Sequence, residues 1–311
     1  MAAVAWVLNL AAELELERPS AWHVGARVQQ HLDRFVPVAA QLLGPEDLMI
    51  TPHQPLPERL LGAPGRAFCP TPSALRALRA AGATPEAAPS LEILQAANHR
   101  RFGLPLGAGV RGARYIVDEA ELRSTLEEHS VPLWLFKKPF GFSGKGQRRI
   151  RQQLSPDDQR WLTAALAHGG VWAEPWVTIE REFAAHGYVN ETGQWSIGHV
   201  CVQQVDAYRS WQRSTLATPA EVAQFGLNRV LGAAERVASA LAAHGYFGPF
   251  GVDAFAWRDT NGLTLNALSE INARYSMGWA LGMAHVPRGP TGLPLLTPHQ
   301  DLDTRLLIPR R

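Results

Sequence analysis

The chain has 311 residues, and its 30 lysines and arginines against 28 aspartates and glutamates leave a net charge of only +2 at neutral pH. This balance excludes the broad basic surface that nucleic-acid binding needs, and no run of about 18 apolar residues could form a membrane helix. Cys69 and Cys201 lack the spacing of a metal site, and two lone thiols favour a reducing compartment over a single disulfide. The composition therefore predicts a cytoplasmic enzyme without a membrane or nucleic-acid partner.

The first 95 residues alternate weakly between strand and helix patterns. Residues 4–10 and 48–50 have the character of short buried strands, and residues 24–43 carry apolar side chains at helical spacing. Two further helices are predicted, one capped by Ser73 and running to Ala81, and one that begins at Ser90 and covers 91–102. This order predicts a small α/β domain at the start of the chain.

A glycine-rich segment in the middle of the chain carries the first chemical signal. Residues 138–146 read Lys-Pro-Phe-Gly-Phe-Ser-Gly-Lys-Gly and follow the apolar run 131–136. Glycine lets backbone N–H groups approach an anion closely, and lysine adds charge suited to phosphate. The segment lacks the Gly-Lys-Ser/Thr of a P-loop, and residues 147–150 resemble a second strand. We interpret it as a β-hairpin lid over a nucleotide, with an ordinary surface hairpin as the alternative.

The remaining pattern is helix, strand and then mostly β structure. Helices are predicted at 118–128 and 155–168, and a strand at 171–177 that breaks at Pro175. The last third shows paired strands at 182–189 and 195–205, a helical segment bent near Gly226, and a hairpin formed by residues 247–257 and 263–274.

The last hairpin carries the strongest chemistry. Glu270, Asn272 and Arg274 alternate with period two and so share one strand face, while Asp253 interrupts an apolar run on the preceding strand. A buried carboxylate is costly unless it is paired or bound to a metal. Oxygen donors suit Mg²⁺, with Mn²⁺ as an alternative, and arginine suits a phosphoryl oxygen. The competing interpretation is a solvated strand face with a surface salt bridge.

Taken together, these motifs resemble those of the ATP-grasp superfamily. The resemblance rests on Lys-Pro before a glycine-rich hairpin, Glu-Pro-Trp-Val at 174–177, Gly-Pro-Phe-Gly-Val-Asp at 248–253 and Glu-Ile-Asn-Ala-Arg at 270–274. It covers residues 96–285 and implies two α+β subdomains that follow a Rossmann-like α/β domain. The implied domains are residues 1–95, 96–172 with the lid, 173–290 with the hinge and metal site, and a tail at 291–311.

The resemblance also implies a role for individual residues. Lys138 resembles the lysine that reaches the phosphates, and Arg274 resembles the arginine that stabilises the transferred phosphate, which makes these two the catalytic candidates. Glu182, or less favourably Glu180, resembles the acid that binds the ribose. The implied lid contacts are Phe140, Ser143, Gly144, Lys145 and Gly146; the implied adenine contacts are Glu174, Pro175, Trp176 and Val177; the implied metal ligands are Asp253, Glu270 and Asn272.

One position departs from the pattern of the superfamily. Many members carry a nucleotide-binding lysine at the start of the grasp region, where this chain reads Asn-His-Arg-Arg at 98–101. Arg100 or Arg101 is therefore expected to replace that lysine, with the same charge but a different shape.

The function implied by the resemblance is ATP-dependent ligation of a small carboxylate to an amine, through an acyl phosphate and with release of ADP. A small-molecule kinase, a carboxylate–thiol ligase and a nucleotide-binding protein without turnover remain alternatives. Residues 204–213 are expected either to line the acceptor pocket or to form a surface loop, and residues 275–279 either to shape the reacting end or to pack. The oligomeric state stays open, with a homodimer as one outcome.

Overall fold

A computed structural model describes residues 3–50, 56–141, 146–205, 211–260, 262–289 and 292–294. Within these ranges the strands form three sheets, one parallel and two antiparallel. None of the helices in these ranges is both long and apolar enough to cross a bilayer.

The first sheet, here called the N-terminal sheet, is parallel, with strand order β2-β1-β3-β4. Its strands are β1 (Ala5–Val7), β2 (Leu48–Met49), β3 (Pro64–Ala67) and β4 (Thr84–Pro85). Its helices are α1 (Ala12–Glu17), α2 (Ala26–Asp33), α3 (Val36–Ala39), α4 (Pro72–Ala80) and α5 (Leu91–Asn98). The expected α/β character is confirmed, but the single helical pattern over 24–43 is interrupted, because Pro37 lacks an N–H group and cannot continue α2.

The second sheet, here called the lid sheet, is antiparallel with order β5-β8-β6-β7. It consists of β5 (Arg114–Ile116), β6 (Trp134–Lys137), β7 (Gln147–Ile150) and β8 (Val171–Pro175). Helices α6 (Glu119–Leu126) and α7 (Pro156–Ala167) pack their apolar side chains against it. Ser155 and Asp158 form the capping box that starts α7, as the sequence predicted.

The third sheet, here called the large sheet, is antiparallel with order β12-β11-β9-β13-β14, and β10 pairs with β9. Its strands are β9 (Ile179–Val189), β10 (Trp195–Ile197), β11 (Cys201–Val205), β12 (Trp211–Leu216), β13 (Gly248–Asp259) and β14 (Gly262–Asn272). Helices α8 (Pro219–Phe225), α9 (Asn228–Ala243) and α10 (Trp279–Gly282) complete this part of the chain. The predicted bend at Gly226 is present, since this glycine ends α8 in the left-handed conformation at φ 64°.

Helix α9 covers one face of the large sheet with a stripe of fully buried alanine, valine and leucine side chains. On β13 the residues that join this core include Val252 and Ala254, so Asp253 between them belongs to the opposite face. That second face is therefore free to carry polar groups, and it is the face on which the candidate site lies.

Candidate active site

Two carboxylates face each other across the last hairpin. Asp253 on β13 is in register with Glu270 on β14, and Gly251 is in register with Asn272. The Asn272 side-chain amide donates to Asp253 at 2.9 Å, and Gln203 of β11 donates to the other Asp253 oxygen at 3.2 Å. The structure thus brings the three predicted metal ligands together on one sheet face.

The pKa values of Asp253 and Glu270 are shifted in opposite directions by their surroundings. Burial, followed by the nearby charge of Glu270, raises the pKa of Asp253 to about 6. Burial would also raise the pKa of Glu270, but Arg100 outweighs it and the pKa is lowered. The described residues contain no cluster of three or more His, Cys, Asp or Glu side chains, so a metal here would take two carboxylates and an amide oxygen. Such a donor set fits Mg²⁺ or Mn²⁺.

Arg100 is the arginine that enters the cleft above these carboxylates. Its Nη1 lies 2.8 Å from Glu270 Oε2, while its Nε donates to the carbonyl of Lys138 at 3.0 Å. Arg101 lies instead over the ring of Tyr115, 5.8 Å from its centroid. The strand face that carries Asp253, Glu270 and Asn272 is here called the metal face, after their predicted role. Of the two expected alternatives, Arg100 is thus the one placed beside it.

Arg274 lines the same cleft and is paired with a residue far away in sequence. Its Nε donates to Glu13 Oε1 at 2.6 Å, and its Nη1 donates to the carbonyl of Tyr275 at 2.9 Å. Burial would lower the pKa of Arg274, but Glu13 outweighs it and the pKa is raised. Arg274 therefore stays charged beside the metal face, held there by α1 of the N-terminal sheet.

The fold of this chain is similar to that of several solved structures. N5-carboxyaminoimidazole ribonucleotide synthetase from Thermus thermophilus matches with a TM-score of 0.50 at 16% identity, over 93% of this chain and 75% of that one. N5-carboxyaminoimidazole synthetase from Staphylococcus aureus, complexed with ADP, gives a TM-score of 0.53 at 13% identity, over 94% and 78%. This chain has the ATP-grasp fold.

A third structure supports the same fold. The biotin carboxylase domain of Hydrogenobacter thermophilus 2-oxoglutarate carboxylase, in complex with MgADP, ADP and bicarbonate, has a TM-score of 0.53 at 12% identity, over 94% of this chain and 68% of that one. No protein-family model matches the sequence. No curated protein sequence matches it.

Within the ATP-grasp fold, the lysine that lines the cleft is Lys137, one residue before the predicted Lys138. Lys137 is buried and its Nζ lies 2.5 Å from Glu174 Oε1. Lys138 contributes its main chain, donating to the carbonyl of Gly146 at 2.8 Å and accepting from Arg100. The reason is the pairing of β6 with β8, which directs Lys137 to the face of β8 that carries Glu174.

The expected adenine segment joins the two antiparallel sheets, since β8 ends at Pro175 and β9 begins at Ile179. It does not line the cleft that contains the metal face. Glu174 is only 2% exposed and pairs with Lys137, yet its Oε2 is buried without a hydrogen-bond partner. The Trp176 amide donates to Leu133 at 2.9 Å. Glu174 thus keeps one free acceptor oxygen behind the cleft.

A glycine loop seals this region. Gly109 has φ +87°, and a Cβ placed there would lie 2.5 Å from Trp172 Cζ2 and 3.0 Å from Glu174 Oε2. Its amide donates to Leu268 on β14 at 2.8 Å. The sequence analysis did not single out this loop, although its three glycines at 107, 109 and 112 were a visible signal.

The lid is described only at its two ends. Phe140 packs edge-on against His99, with ring centroids 5.4 Å apart, and Gly141 and Gln147 line the cleft. Gly146 has a positive φ of 79°, which glycine adopts readily. Ser143, Gly144 and Lys145 lie outside the described residues, so their predicted contacts stay predictions.

Of the two acids considered for the ribose, Glu182 is the one placed on the polar face. It is in register with Gln203 on one side and Phe255 on the other, one cross-strand row away from Asp253, which is in register with Ala184 and Glu270. Glu180 is exposed and forms an ion pair with Arg258 at 3.0 Å. Glu182 therefore remains the better candidate, and its ribose contact stays a prediction.

Two segments, 204–213 and 275–279, were expected to shape the acceptor end, and only some of their described residues line the cleft. Residues 206–210 lie outside the described part, but Trp211 lines the cleft. Ser276 and Met277 line it as well, whereas Tyr275 and Trp279 are buried in the core. Arg213 donates to Gln204 at 2.6 Å. In segment 275–279, packing thus applies to Tyr275 and Trp279, while a role of Ser276 and Met277 at the reacting end stays a prediction.

Sequence reasoning missed one side of the cleft except for Met277. It is apolar and consists of Leu10, Leu32, Phe35, Phe68 and Met277. Four of these residues come from the first 95, and nothing in the local sequence separates them from ordinary core residues.

Proposed function

We propose that this chain is an ADP-forming ligase that uses ATP to activate a small carboxylate as an acyl phosphate and joins it to an amine. The observation that carries the proposal is the facing pair Asp253 and Glu270, set in one cleft with the cations Lys137, Arg100 and Arg274. A binder without turnover has no need for two facing, partly buried carboxylates beside three cations. The ADP in the Staphylococcus aureus structure and the MgADP and bicarbonate in the Hydrogenobacter thermophilus structure are consistent with this chemistry.

The expected roles follow from position and charge. Asp253, Glu270 and Asn272 would hold Mg²⁺, which neutralises the phosphate oxygens when it is bound. Arg274 and Arg100 flank this face and offset the negative charge that builds up during transfer. The resemblance assigns Glu174 to the amino group of adenine, but its unpaired Oε2 is buried behind the cleft beside Gly109, so this contact requires the glycine loop to move.

The reaction balances without a covalent enzyme intermediate. A carboxylate oxygen bonds to the γ-phosphorus of ATP while the bond to the bridging oxygen of ADP breaks. The amine nitrogen then bonds to the acyl carbon, and inorganic phosphate leaves together with a proton. Because an acyl phosphate hydrolyses in water, the lid between 138 and 146 is expected to close over it.

A coupled ADP-release assay tests the proposal. Amino acids and small carboxylic acids are supplied with ATP and Mg²⁺, each with and without a panel of amines. A ligase releases stoichiometric ADP only when acid and amine are both present, and a chelator stops it. ADP release from a single hydroxyl compound would indicate a kinase, and ATP binding without ADP release across the panel would contradict turnover.

Glu270→Ala provides the matched variant for this assay. It is expected to abolish ADP release while the circular dichroism spectrum stays unchanged. Glu191→Ala is the control, because Glu191 is exposed in the turn that follows β9 of the same sheet. Equal turnover in the two variants would overturn the metal assignment.

A further inference from the structure

The cleft continues past the metal face onto an apolar surface that the N-terminal sheet supplies. We call it the apolar wall; it consists of Leu10, Leu32, Phe35, Phe68 and Met277. Leu10 follows β1 and Phe68 follows β3, so both lie beyond the carboxyl ends of adjacent parallel strands. In the order β2-β1-β3-β4, these two strands flank the point where the chain reverses its direction of winding. Ligands of open parallel sheets bind at this point.

The same place lacks the features of a phosphate site. Residues 8–15 after β1 read Leu-Asn-Leu-Ala-Ala-Glu-Leu-Glu and contain no glycine that would let backbone amides approach an anion. Two carboxylates already occupy the first turn of α1: Glu13 pairs with Arg274, and Glu15 accepts from the Ser73 amide at 2.8 Å. A phosphorylated substrate would meet the carboxylates of Glu13 and Glu15 here and no glycine turn of the kind that binds phosphate.

Arg274 contacts a carboxylate on one side and the apolar wall on the other. The Arg274 guanidinium lies 5.4 Å from the centroid of the Phe68 ring, while Glu13 holds its Nε. Such a group can orient a single carboxylate at the edge of an apolar surface. Ser276 and Gln203 add two neutral polar groups beside it. Mostly apolar lining with a few convergent polar groups is typical of a small-molecule pocket.

We infer that the carboxylate substrate of this chain carries an apolar aliphatic or aromatic group, which packs against the apolar wall while its carboxylate points to the metal face. This inference rests on the proposed function, because it names the substrate class of that same reaction. It separates the chain from the Thermus thermophilus enzyme, whose name specifies a ribonucleotide.

Hydroxylamine makes the test independent of the unknown amine. The acid's carboxylate oxygen bonds to the γ-phosphorus of ATP, the bond to the bridging oxygen breaks, and ADP leaves. The hydroxylamine nitrogen then bonds to the acyl carbon, the carbon–oxygen bond to phosphate breaks, and inorganic phosphate and a proton are released. The hydroxamate product is measured as its iron(III) complex, and ADP is measured separately.

The acids form a graded series of acetate, butyrate, hexanoate and 3-phenylpropionate, set against glycolate and 6-phosphogluconate. For the apolar members, kcat/KM is expected to rise about fourfold for each added methylene until the wall is filled, from a transfer free energy of about 0.8 kcal/mol per methylene. Titration calorimetry of 3-phenylpropionate against the whole protein is expected to show a negative heat-capacity change, the sign of apolar burial.

Phe35→Ala is the variant that tests the wall, since Phe35 is half-buried at its rim. We expect it to raise KM for 3-phenylpropionate on the order of tenfold, with KM for ATP unchanged. Phe225→Ala is the control: Phe225 is also half-buried, but it packs on Phe183, 5.0 Å between ring centroids, in the core below the large sheet. Circular dichroism verifies that both variants are folded.

The outcomes separate the two proposals. Preference for glycolate or 6-phosphogluconate, or no calorimetric binding of the apolar acids at millimolar concentration, overturns the apolar substrate while the ligase proposal stands. Binding of the apolar acids with a negative heat-capacity change but without ADP release supports the wall and overturns the ligase. Hydroxamate from the apolar acids, weakened by Phe35→Ala alone, supports both.

Discussion

At the scale of single residues, the cleft is a set of matched charges. Arg100 pairs with Glu270, Lys137 with Glu174, and Arg274 with Glu13, which leaves Asp253 as the additional carboxylate on the metal face. Among the described residues of the cleft, these pairings leave no surplus of positive charge for a triphosphate that enters alone. A divalent cation on Asp253 and Glu270 reverses that balance, so we expect metal and nucleotide to bind together.

Asp253→Asn is expected to stabilise the metal-free protein while it abolishes ADP release. The substitution removes one of two partly buried carboxylates that face each other, and desolvation together with the charge of Glu270 already raises the pKa of Asp253 to about 6. The gain at pH 7.5 is expected on the order of 1–2 kcal/mol, measured by urea unfolding without metal. Asp259→Asn at the exposed end of β13 serves as control, and a destabilised Asp253→Asn protein would contradict the prediction.

Lys137→Met is expected to weaken ATP binding far more than Lys138→Met. Lys137 is the buried lysine in the cleft, and a charge-assisted contact to phosphate corresponds to roughly 10- to 100-fold in affinity. Calorimetry with MgATP measures both variants, and thermal unfolding monitors the loss of the Lys137–Glu174 pair. A larger effect at Lys138 would restore the assignment that the resemblance suggested.

The shared face of Glu270 and Asn272 could be predicted from the sequence, because their period-two spacing holds whatever the strand pairs with; their role as metal ligands stays a prediction. The choice between two adjacent lysines could not, since it depends on how β6 pairs with β8. The partner of Arg274 was also beyond local reasoning, because Glu13 lies 261 positions away along the chain.

At the scale of elements, α1 and the segment after β14 fasten the N-terminal sheet to the metal strand. The Arg274–Glu13 pair joins them, and the Tyr275 amide donates to the carbonyl of Phe68 at 3.0 Å. The loop after β3 and the end of β14 are therefore held in one position relative to each other. This contact sets the distance between the apolar wall and the carboxylates.

Glu13→Ala is expected to destabilise the protein by about 3–5 kcal/mol, because it leaves the buried Arg274 without its counter-charge. Glu13→Ala combined with Arg274→Met should lose less than the two single variants added together, since the uncompensated charge is gone. Urea unfolding of all four proteins gives the coupling energy. Glu17→Ala on the same helix is the control, and strict additivity would argue against the pair.

Element boundaries show where sequence patterns suffice. The final hairpin and the capped start of α7 follow the prediction closely, because turn and capping residues act locally. The expected adenine segment at 174–177 connects the lid sheet to the large sheet. It lies outside the cleft, however. Its position depends on Trp172 and the glycine loop at 107–112, which the local pattern of β8 does not reveal.

At the scale of the whole molecule, buried histidines couple stability to pH. Burial lowers the pKa of His186 to about 4, and burial together with Arg101 and Arg100 lowers the pKa of His99 to about 4. Both groups are neutral in the folded protein, while in the unfolded chain they titrate near their ordinary pKa of about 6.5. The folded protein is therefore not penalised by these two histidines above pH 6.5, and its free energy of unfolding decreases as the pH falls towards 4.

The free energy of unfolding should therefore fall between pH 6.5 and 4, by up to about 1.4 kcal/mol per pH unit for each histidine. Asp253 acts in the opposite direction over part of this range, so Asp253→Asn is the better background for the measurement. On that background His186→Asn should flatten the slope, while His168→Asn, at an exposed site, should not. A pH-independent free energy of unfolding would contradict the prediction.

The docking of α2 and the loops after β1 and β3 onto a separate catalytic half has an evolutionary consequence. The side chains that would choose the acid belong to residues 10–68, apart from Met277, whereas those that would handle ATP belong to residues 100–274. Mutations at Leu32 or Phe35 can thus redirect the chain towards a new acid without touching the machinery of phosphoryl transfer. Diversification within such a lineage is expected to be recorded mainly in its first seventy positions.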